Sequence, residues 1–265
     1  MENLRLSMIS MNSRVGDLEG NLRSILARLE ETSGSDVVCL PEMCLTGYAM
    51  PSSVDHLLPV DSPYVGEILD ASSGNGNVVS FGFGEEGGYI SQMVVDSGRV
   101  CGVYRKTHLG EREAPVMKAG DELPVFETSR CAIGVQTCWE SHFPEITTTC
   151  ALKGADLILM PHASGLPVGK RRAKWDIMLP ARAYDNTVFC AACNQFGDNG
   201  LGTVFCGGAT VYGPRGDLIG ERYDGEGVLT VDLDLSVLSS LRKREYASMK
   251  DLYFLNRRRP DIYFK

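Results

Sequence analysis

A segment near the middle of the chain changes from a strand pattern to a helix pattern within a few residues. Residues 131–136 are apolar and partly β-branched, which predicts a short buried strand. Pro144 and Glu145 are typical of a first helical turn, and Gly154 suits a left-handed helix end. A strand followed so closely by a helix predicts an α/β fold, with Cys138 on the tight connection between them.

Cys138 has two interpretations. A thiol on a strand-to-helix turn stands clear of the sheet, and the N-terminus of the following helix would lower its pKa and favour the thiolate. Most lone cysteines, however, are small buried hydrophobic residues. The segment alone therefore makes Cys138 a candidate nucleophile and no more.

Two charged residues elsewhere follow apolar runs in a similar way. Residues 37–40 lead into Glu42, and the predicted strand 100–104 leads into Lys106. Taken singly, a glutamate or a lysine at a strand end is usually a solvated surface residue. The order Glu42, Lys106, Cys138, each at the end of a predicted strand, resembles the Glu-Lys-Cys set of the nitrilase superfamily of carbon–nitrogen hydrolases.

The resemblance extends over almost the whole chain. Its further segments follow in order: Phe143-Pro144-Glu145 after the nucleophile, residues 154–161 as the next strand, Trp175 to Asn186 as the next helix, and residues 258–263 as the C-terminal tail. The resemblance implies a four-layer α-β-β-α sandwich, with residues 1–265 as one carbon–nitrogen hydrolase domain. It also implies a homodimer or larger homo-oligomer.

The resemblance implies a thiol mechanism that needs no cofactor. Cys138 would be the nucleophile and form a thioester, and Glu42 would be the general base. Lys106 would stabilise the oxyanion, together with the backbone N–H of Trp139. A carboxylate acts as a base near neutral pH only if burial raises its pKa, and the apolar run before Glu42 makes burial plausible.

A second carboxylate between the lysine and the cysteine is also implied, and Glu111 and Glu113 are the candidates. Many members of the superfamily place this glutamate seven residues before a glycine, and Gly120 follows Glu113 by that spacing. We therefore choose Glu113 and leave Glu111 open. Met117 stands where an aromatic residue is usual.

Four residues are predicted to contact the substrate: Tyr48, Trp139, His142 and Asn194. Tyr48 follows Glu42 in the same segment, and Asn194, with Gln195 beside it, follows a predicted strand. Trp139, next to the nucleophile, is expected to line the substrate pocket; a position in the core is the alternative. His142 raises the alternative of a Cys–His dyad, but no other motif of that class is present.

Composition excludes several classes of function. The formal charge of −8 disfavours binding to nucleic acid or to anionic membranes, and no apolar run approaches the roughly 18 residues that span a bilayer. Nine scattered cysteines favour reduced thiols in a cytoplasmic protein. Cys190 and Cys193 would face opposite sides of a strand, and the four histidines are dispersed, so we expect no metal site.

Alternating patterns predict the remaining elements. A strand at 4–9 and a helix from 18 to 29, capped by Asp17, precede the Glu42 strand, and a loop covers 50–64. Further elements follow in order: a helix at 65–71, strands at 78–84, 89–95 and 100–104, a long connection at 108–125, a strand at 156–160, a helix at 175–184, a strand at 187–192, a meander of strands at 207–212, 218–222 and 228–233, and a helix at 235–242.

The substrate class remains a choice between alternatives. Cys138-Trp139-Glu140 resembles true nitrilases, whereas Phe143-Pro144-Glu145 resembles amidases and N-carbamoyl amide hydrolases. The short chain favours the second group, so we expect hydrolysis of a small linear amide or N-carbamoyl compound, with a nitrile as the enzymatic alternative. A catalytically silent binding protein is the non-enzymatic alternative, and the complete set of Glu42, Lys106, Glu113 and Cys138 argues against it.

Overall fold

The computed structural model describes residues 3–243 and 253–263, and two six-stranded mixed sheets dominate it. In the first sheet the spatial order is β14-β1-β2-β3-β4-β5, with labels that follow the chain. Its strands are β1 (Asn3–Ser10), β2 (Val37–Cys39), β3 (Val78–Glu85), β4 (Tyr89–Asp96), β5 (Arg99–Arg105) and β14 (Gly227–Asp234).

The second sheet has the order β13-β12-β9-β8-β7-β6, and its three central strands β7, β8 and β9 are parallel. A separate hairpin joins β10 to β11. These strands are β6 (Val125–Glu127), β7 (Ala132–Val135), β8 (Leu157–His162), β9 (Phe189–Asn194), β10 (Phe196–Asp198), β11 (Val204–Cys206), β12 (Ala209–Tyr212) and β13 (Leu218–Arg222).

Five α-helices accompany the sheets in the described residues: α1 (Leu18–Glu31), α2 (Pro63–Asn75), α3 (Pro144–Leu152), α4 (Val168–Asn186) and α5 (Ser236–Lys243). Short 3-10 helices cover Ser52–His56, Cys138–His142, Phe254–Arg257 and Pro260–Ile262. Asp17 caps α1 by accepting a hydrogen bond from the Gly20 N–H, as its position predicts. Among the described residues, no helix combines the length and the apolar character needed to cross a bilayer.

Three apolar layers hold these elements together. The inner faces of the two sheets pack against each other, with Leu6 and Val37 on one side and Ile133 and Leu159 on the other. Helices α1 and α2 cover the outer face of the first sheet. Helices α3 and α4 cover the outer face of the second. The result is the predicted four-layer α-β-β-α sandwich.

The predicted meander is wrong in one strand. β12 and β13 are antiparallel neighbours, as expected, but β14 crosses to the first sheet and pairs antiparallel with β1 over its whole length. A local pattern indicates which residues of a strand are buried, and both sheets offer the same kind of buried face. The pattern therefore predicts the strand and leaves its partner open.

Cys190 and Cys193 confirm the prediction of opposite faces. Cys190 lies in the apolar layer beneath α3 and α4, and Cys193 lies between the two sheets. The Gly154 prediction is also confirmed, because this residue follows α3 with φ +101°.

Candidate active site

Strand ends position three of the four predicted catalytic side chains, and the loop after β5 carries the fourth, Glu113. Lys106 directly follows β5, and Glu42 lies three residues after β2. Cys138 follows β7 in the other sheet. Glu42, Lys106 and Glu113 are all buried, with Lys106 wholly inaccessible to solvent. We refer to these three residues as the charged cluster.

Lys106 is the centre of the charged cluster. Its Nζ donates to Glu42 Oε1 at 2.8 Å and to Glu113 Oε1 at 2.7 Å. A buried ammonium is costly unless it is paired, and here two carboxylates surround it. The two carboxylates therefore fix the position of the Lys106 ammonium.

Glu113, and not Glu111, reaches the cluster. Glu113 also accepts hydrogen bonds from the Tyr48 hydroxyl at 2.8 Å and from the Gly110 N–H at 2.6 Å, whereas Glu111 is exposed. The spacing to Gly120 has a physical reason. A Cβ at Gly120 would overlap the Arg105 carbonyl oxygen, so only glycine lets the loop return beside the end of β5.

The segment that carries Glu42 lies directly on strand β3. A Cβ at Gly82 would overlap the Met43 backbone nitrogen, and Met43 itself has φ +51°. Two contacts from the second sheet hold Glu42 in place. The Ala163 N–H donates to Glu42 Oε2 at 3.0 Å, and Gln195 Nε2 donates to the Glu42 carbonyl at 2.7 Å.

Cys138 lies on a tight turn between a strand and a helix, as predicted, and the structure adds that its backbone is strained. Its φ of +42° is in the left-handed region that side-chain-bearing residues seldom adopt. A short 3-10 helix begins at Cys138, and α3 begins at Pro144. We refer to residues 137–143 as the nucleophile elbow.

Glu140 holds the nucleophile elbow, a role that was not predicted for it from the sequence. Its Oε2 accepts from the backbone N–H and hydroxyl of Thr137, at 2.8 and 3.0 Å. Its Oε1 accepts from the Tyr104 hydroxyl, the Thr107 N–H and hydroxyl, and the His108 N–H, at 2.6 to 3.0 Å. The carboxylate thus ties the elbow to the loop after Lys106.

The sequence contains a local pattern that indicates a capping role for Glu140. Thr137 and Glu140 have the spacing of a capping box, in which the first side chain and the fourth each bond the other's backbone N–H. The structure contains this capping box. Its second function, the contact with residues 104–108, depends on the approach of the two sheets and has no local pattern.

The charges of the cluster shift one another's pKa values. Burial raises the pKa of Glu42, the charge of Lys106 opposes the rise, and the charge of Glu113 adds to it. For Lys106, burial alone would lower the pKa, but Glu42, Cys138 and Glu113 raise it well above its usual value. Lys106 is therefore an ammonium, and Glu42 is a stronger base than an exposed glutamate.

The expectation of a lowered thiol pKa at Cys138 is wrong. Burial and the neighbouring charge of Glu42 raise the pKa of Cys138 to about 12, and the opposing effect of Lys106 is smaller. The Glu42 carboxylate and the thiol are close enough for each to shift the pKa of the other. Cys138 is thus a protonated thiol at neutral pH in the free protein.

Trp139 and His142 lie beside the nucleophile. Trp139 is 43% exposed, which excludes the interpretation as a core residue, and its ring packs against the His142 ring with centroids 5.2 Å apart. Burial and the nearby cations Lys174, Arg171 and Arg182 lower the pKa of His142. Among the described contacts, His142 has no hydrogen bond to Cys138. Contact of either side chain with a substrate stays a prediction.

Tyr48 and Asn194 have different surroundings. Tyr48 lines a cavity of about 490 Å³ together with Ala163, Arg112, Leu201 and Phe205. The Asn194 amide accepts from the Ser164 N–H at 2.8 Å and donates to the Ser164 carbonyl at 3.1 Å. Asn194 thus fixes the turn after β8, and its contact with a substrate stays a prediction.

No metal centre is formed by the described residues, because they contain no group of three or more His, Cys, Asp or Glu side chains arranged to hold an ion. The site contains a thiol, an ammonium and two carboxylates, which are the groups that a thiol-dependent hydrolysis requires as nucleophile, oxyanion partner and base. This fold and site define a cysteine-dependent hydrolase.

Comparisons with known proteins agree with this class. The sequence model of the carbon-nitrogen hydrolase family matches residues 5–243. A probable nitrilase of Schizosaccharomyces pombe is 29% identical over 97% of this chain and 96% of its own length. A nitrilase of Pyrococcus abyssi is 27% identical over 99% of this chain and all of its own.

Solved structures show the same fold. A variant of the amidase of Nesterenkonia sp. AN1 superimposes with a TM-score of 0.79 at 26% identity, covering 98% of this chain and 95% of its own. A Xanthomonas campestris protein with an arsenic adduct in its active site gives a TM-score of 0.81 at 27% identity, covering 92% and 96%. The chain belongs to the carbon-nitrogen hydrolase family, within the nitrilase superfamily, and hydrolyses C–N bonds other than peptide bonds.

Proposed function

We propose that this protein hydrolyses a small linear amide or N-carbamoyl compound through a Cys138 thioester, with Glu42 as general base and Lys106 as oxyanion stabiliser. The observation that carries the proposal is the charged cluster beside the nucleophile elbow. It places a base of raised pKa next to a protonated thiol, and an ammonium next to both.

In the first half of the reaction, Glu42 takes the Cys138 proton as the sulfur bonds to the substrate carbonyl carbon. The thiol needs this base because its own pKa is far above neutral. Negative charge that develops on the carbonyl oxygen is stabilised by Lys106 and the Trp139 N–H. The C–N bond then breaks, Glu42 delivers the proton to the departing nitrogen, and ammonia or an amine leaves.

In the second half, Glu42 takes a proton from a water molecule as its oxygen attacks the thioester carbon. The oxyanion again faces Lys106, the C–S bond breaks, and the proton returns to Cys138. The products are the acid and a regenerated thiol. Glu113 positions Lys106 through the 2.7 Å hydrogen bond and accepts no proton in this scheme.

Amide chemistry is favoured by the solved neighbours. One mutant of the amidase of Nesterenkonia sp. AN1 has been obtained with the acetamide moiety of fluoroacetamide bound covalently at its active-site cysteine, and another mutant in complex with butyramide. The curated relatives from S. pombe and P. abyssi are described as nitrilases, so a nitrile is the second candidate substrate. The same four residues serve either reaction.

The test is ammonia release from acetamide, butyramide, N-carbamoylglycine and butyronitrile, with intact mass spectrometry on the same samples. We expect release from an amide or carbamoyl compound and an acyl adduct on the wild-type protein. Cys138→Ala is expected to lower release by a factor of about 10⁴ or more and to abolish the adduct. Cys101→Ala is the matched control, because this partly buried thiol lies outside the site.

Three outcomes contradict the proposal in different ways. Release that survives in Cys138→Ala removes this residue as the nucleophile. Release from butyronitrile alone replaces the amide by the nitrile as substrate. Absence of both release and adduct with every compound contradicts the proposed substrate class.

Three broader expectations belong to the same proposal. The nine cysteines are free thiols in the structure, and thiols persist best in a reducing cytoplasm, which is where we place the protein. We also propose that residues 1–265 act as one catalytic domain. A homodimer or larger homo-oligomer stays a prediction, and light scattering of the purified protein measures it.

A further inference from the structure

Arg171 is a buried cation without an acidic partner. It lies near the start of α4 and is 4% exposed. Its guanidinium packs over the Trp175 ring at 5.3 Å, and its Nε has no hydrogen-bond partner. Among the described residues, no Asp or Glu is in ion-pair contact with it.

The neighbouring Arg172 shows what an ordinary surface arginine does on the same helix. Its side chain is 52% exposed and forms ion pairs with Asp176 and Glu221. Burial of an unpaired charge is costly, whereas an exposed paired charge costs little. The buried, unpaired state of Arg171 is therefore a cost to folding, and a role in binding would account for it.

Helix α4, which carries Arg171, packs against the nucleophile elbow, where Arg182 Nη2 donates to the Ser141 carbonyl oxygen at 3.3 Å. The charge of Arg171 interacts with the Cys138 and Cys206 thiols, and burial is the main cause of its lowered pKa. The Trp175 ring beneath it donates from Nε1 to His162 Nε2 at 3.2 Å. His162 immediately precedes Ala163. The Ala163 N–H donates to Glu42, and Ala163 also lines the cavity near Tyr48.

A guanidinium in this position is suited to one kind of ligand. Its planar fork of N–H donors matches a carboxylate, and a desolvated charge-assisted pair is stronger than an exposed one. The charged cluster already satisfies Glu42 and Glu113 through Lys106, so Arg171 is not needed there. No described carboxylate pairs with Arg171, which leaves its guanidinium free to pair with the acid group of a ligand.

We propose that Arg171 binds the carboxylate of the substrate, so that the preferred substrates are short amides or carbamoyl compounds that carry an acid group. This inference rests on the proposed amide hydrolysis and adds the substrate's charge to it. The amide carbon lies at Cys138 and the acid group is held by Arg171. A neutral amide of similar length lacks the contact between a carboxylate and Arg171.

The experiment compares succinamate, which carries a carboxylate, with neutral butyramide. We expect the wild-type protein to prefer succinamate in kcat/KM. Arg171→Gln is expected to lower kcat/KM for succinamate by about 10- to 100-fold, mainly through KM, because a hydrogen-bonded charge is lost. Its effect on butyramide is expected to be about threefold or less. Arg172→Gln, the matched control, should leave both values near those of the wild type.

A purely structural or general electrostatic role predicts a different result. Equal losses for both substrates in Arg171→Gln would overturn the inference, and so would a wild-type protein without preference for succinamate. Thermal unfolding separates misfolding from lost binding. Because an unpaired buried charge is removed, Arg171→Gln should have a Tm no lower than the wild type, and Arg171→Lys should recover part of the preference for succinamate.

Failure of the proposed hydrolysis is detected separately. If the wild-type protein turns over neither compound, binding of succinate to the Cys138→Ala variant is measured by calorimetry. Binding that is lost in the double variant with Arg171→Gln supports the carboxylate contact even without turnover. Absence of succinate binding overturns it.

Discussion

The charged cluster and the nucleophile elbow meet at one site but are held by opposite means. Glu42, Lys106 and Glu113 are fixed by attraction between their own charges, with Lys106 bonded to both carboxylates. The elbow is fixed by Glu140, whose carboxylate accepts only from neutral donors, and Cys138 itself is strained and uncharged. One region depends on its charges and the other on backbone geometry.

The difference indicates how the two regions respond to change. In the cluster, each charge sets the ionisation of the others, so a substitution alters the pH dependence of activity as well as its rate. In the elbow, the groups that donate hydrogen bonds to Glu140 are neutral, and the His108 ring nitrogen lies 3.8 Å from its Oε1. A substitution there is expected to move the nucleophile or destabilise the fold, without a change in the pKa of the base.

The largest effect is expected from Lys106→Arg, which retains the charge and changes its shape. Lys106 is fully buried between two carboxylates, and the wider guanidinium does not fit the place of a compact ammonium. We expect kcat/KM for the best amide to fall by about 1,000-fold. Lys118→Arg, at an exposed lysine near Tyr89, is the control. Turnover like that of the wild type in Lys106→Arg would remove Lys106 from the mechanism.

A smaller loss of rate, about 100-fold in kcat/KM, is expected for Glu113→Gln because Lys106 loses one of its two anchors. This variant also tests the coupling of charges. The negative charge of Glu113 raises the pKa of Glu42, so its removal lowers that pKa. Activity requires the ionised base and is lost as the pH falls through its pKa. The acid limb of kcat/KM should therefore move to lower pH, and a limb that stays in place would refute the coupling.

Glu140→Gln is expected to lower kcat by about 30-fold and to reduce the free energy of unfolding by about 1–3 kcal/mol, because buried donors lose their acceptor. The acid limb of kcat/KM should stay where it is in the wild type. Urea unfolding and pH profiles measure the two effects. Glu145→Gln, at an exposed residue in the first turn of α3, is the control. A shifted acid limb in Glu140→Gln would mean that the two regions are electrostatically coupled.

The smallest effect concerns the thiolate absorbance of Cys138, which we expect to be absent at neutral pH. Because the pKa of Cys138 is raised to about 12, its proton is retained at every pH well below that value. The difference in ultraviolet thiolate absorbance between the wild type and Cys138→Ser should show no titration step below a pH of about 9. A step near neutral pH would mean that the elbow lowers the thiol pKa after all.

Much of the fold follows from local patterns along the chain. The strand ending before Cys138, the helix from Pro144 and the αL residue Gly154 are consequences of side-chain size, branching and backbone freedom over a few residues. Hairpin β10–β11 was not predicted, because its glycine-rich segment has no alternation of apolar and polar residues. Strand β14 was predicted, but its place beside β1 was not, because pairing is decided between residues more than 200 positions apart.

The candidate site divides in the same way. The sequence predicted Glu42, Lys106 and Cys138 through their resemblance to the nitrilase superfamily, and it favoured Glu113 over Glu111 by the spacing to Gly120. Only the tertiary structure decided that Glu140 joins the elbow to the loop after Lys106, that Cys138 keeps its proton, and that Arg171 is buried without an acid. Desolvation and charge interactions depend on which surfaces meet in space, and no short stretch of sequence contains that information.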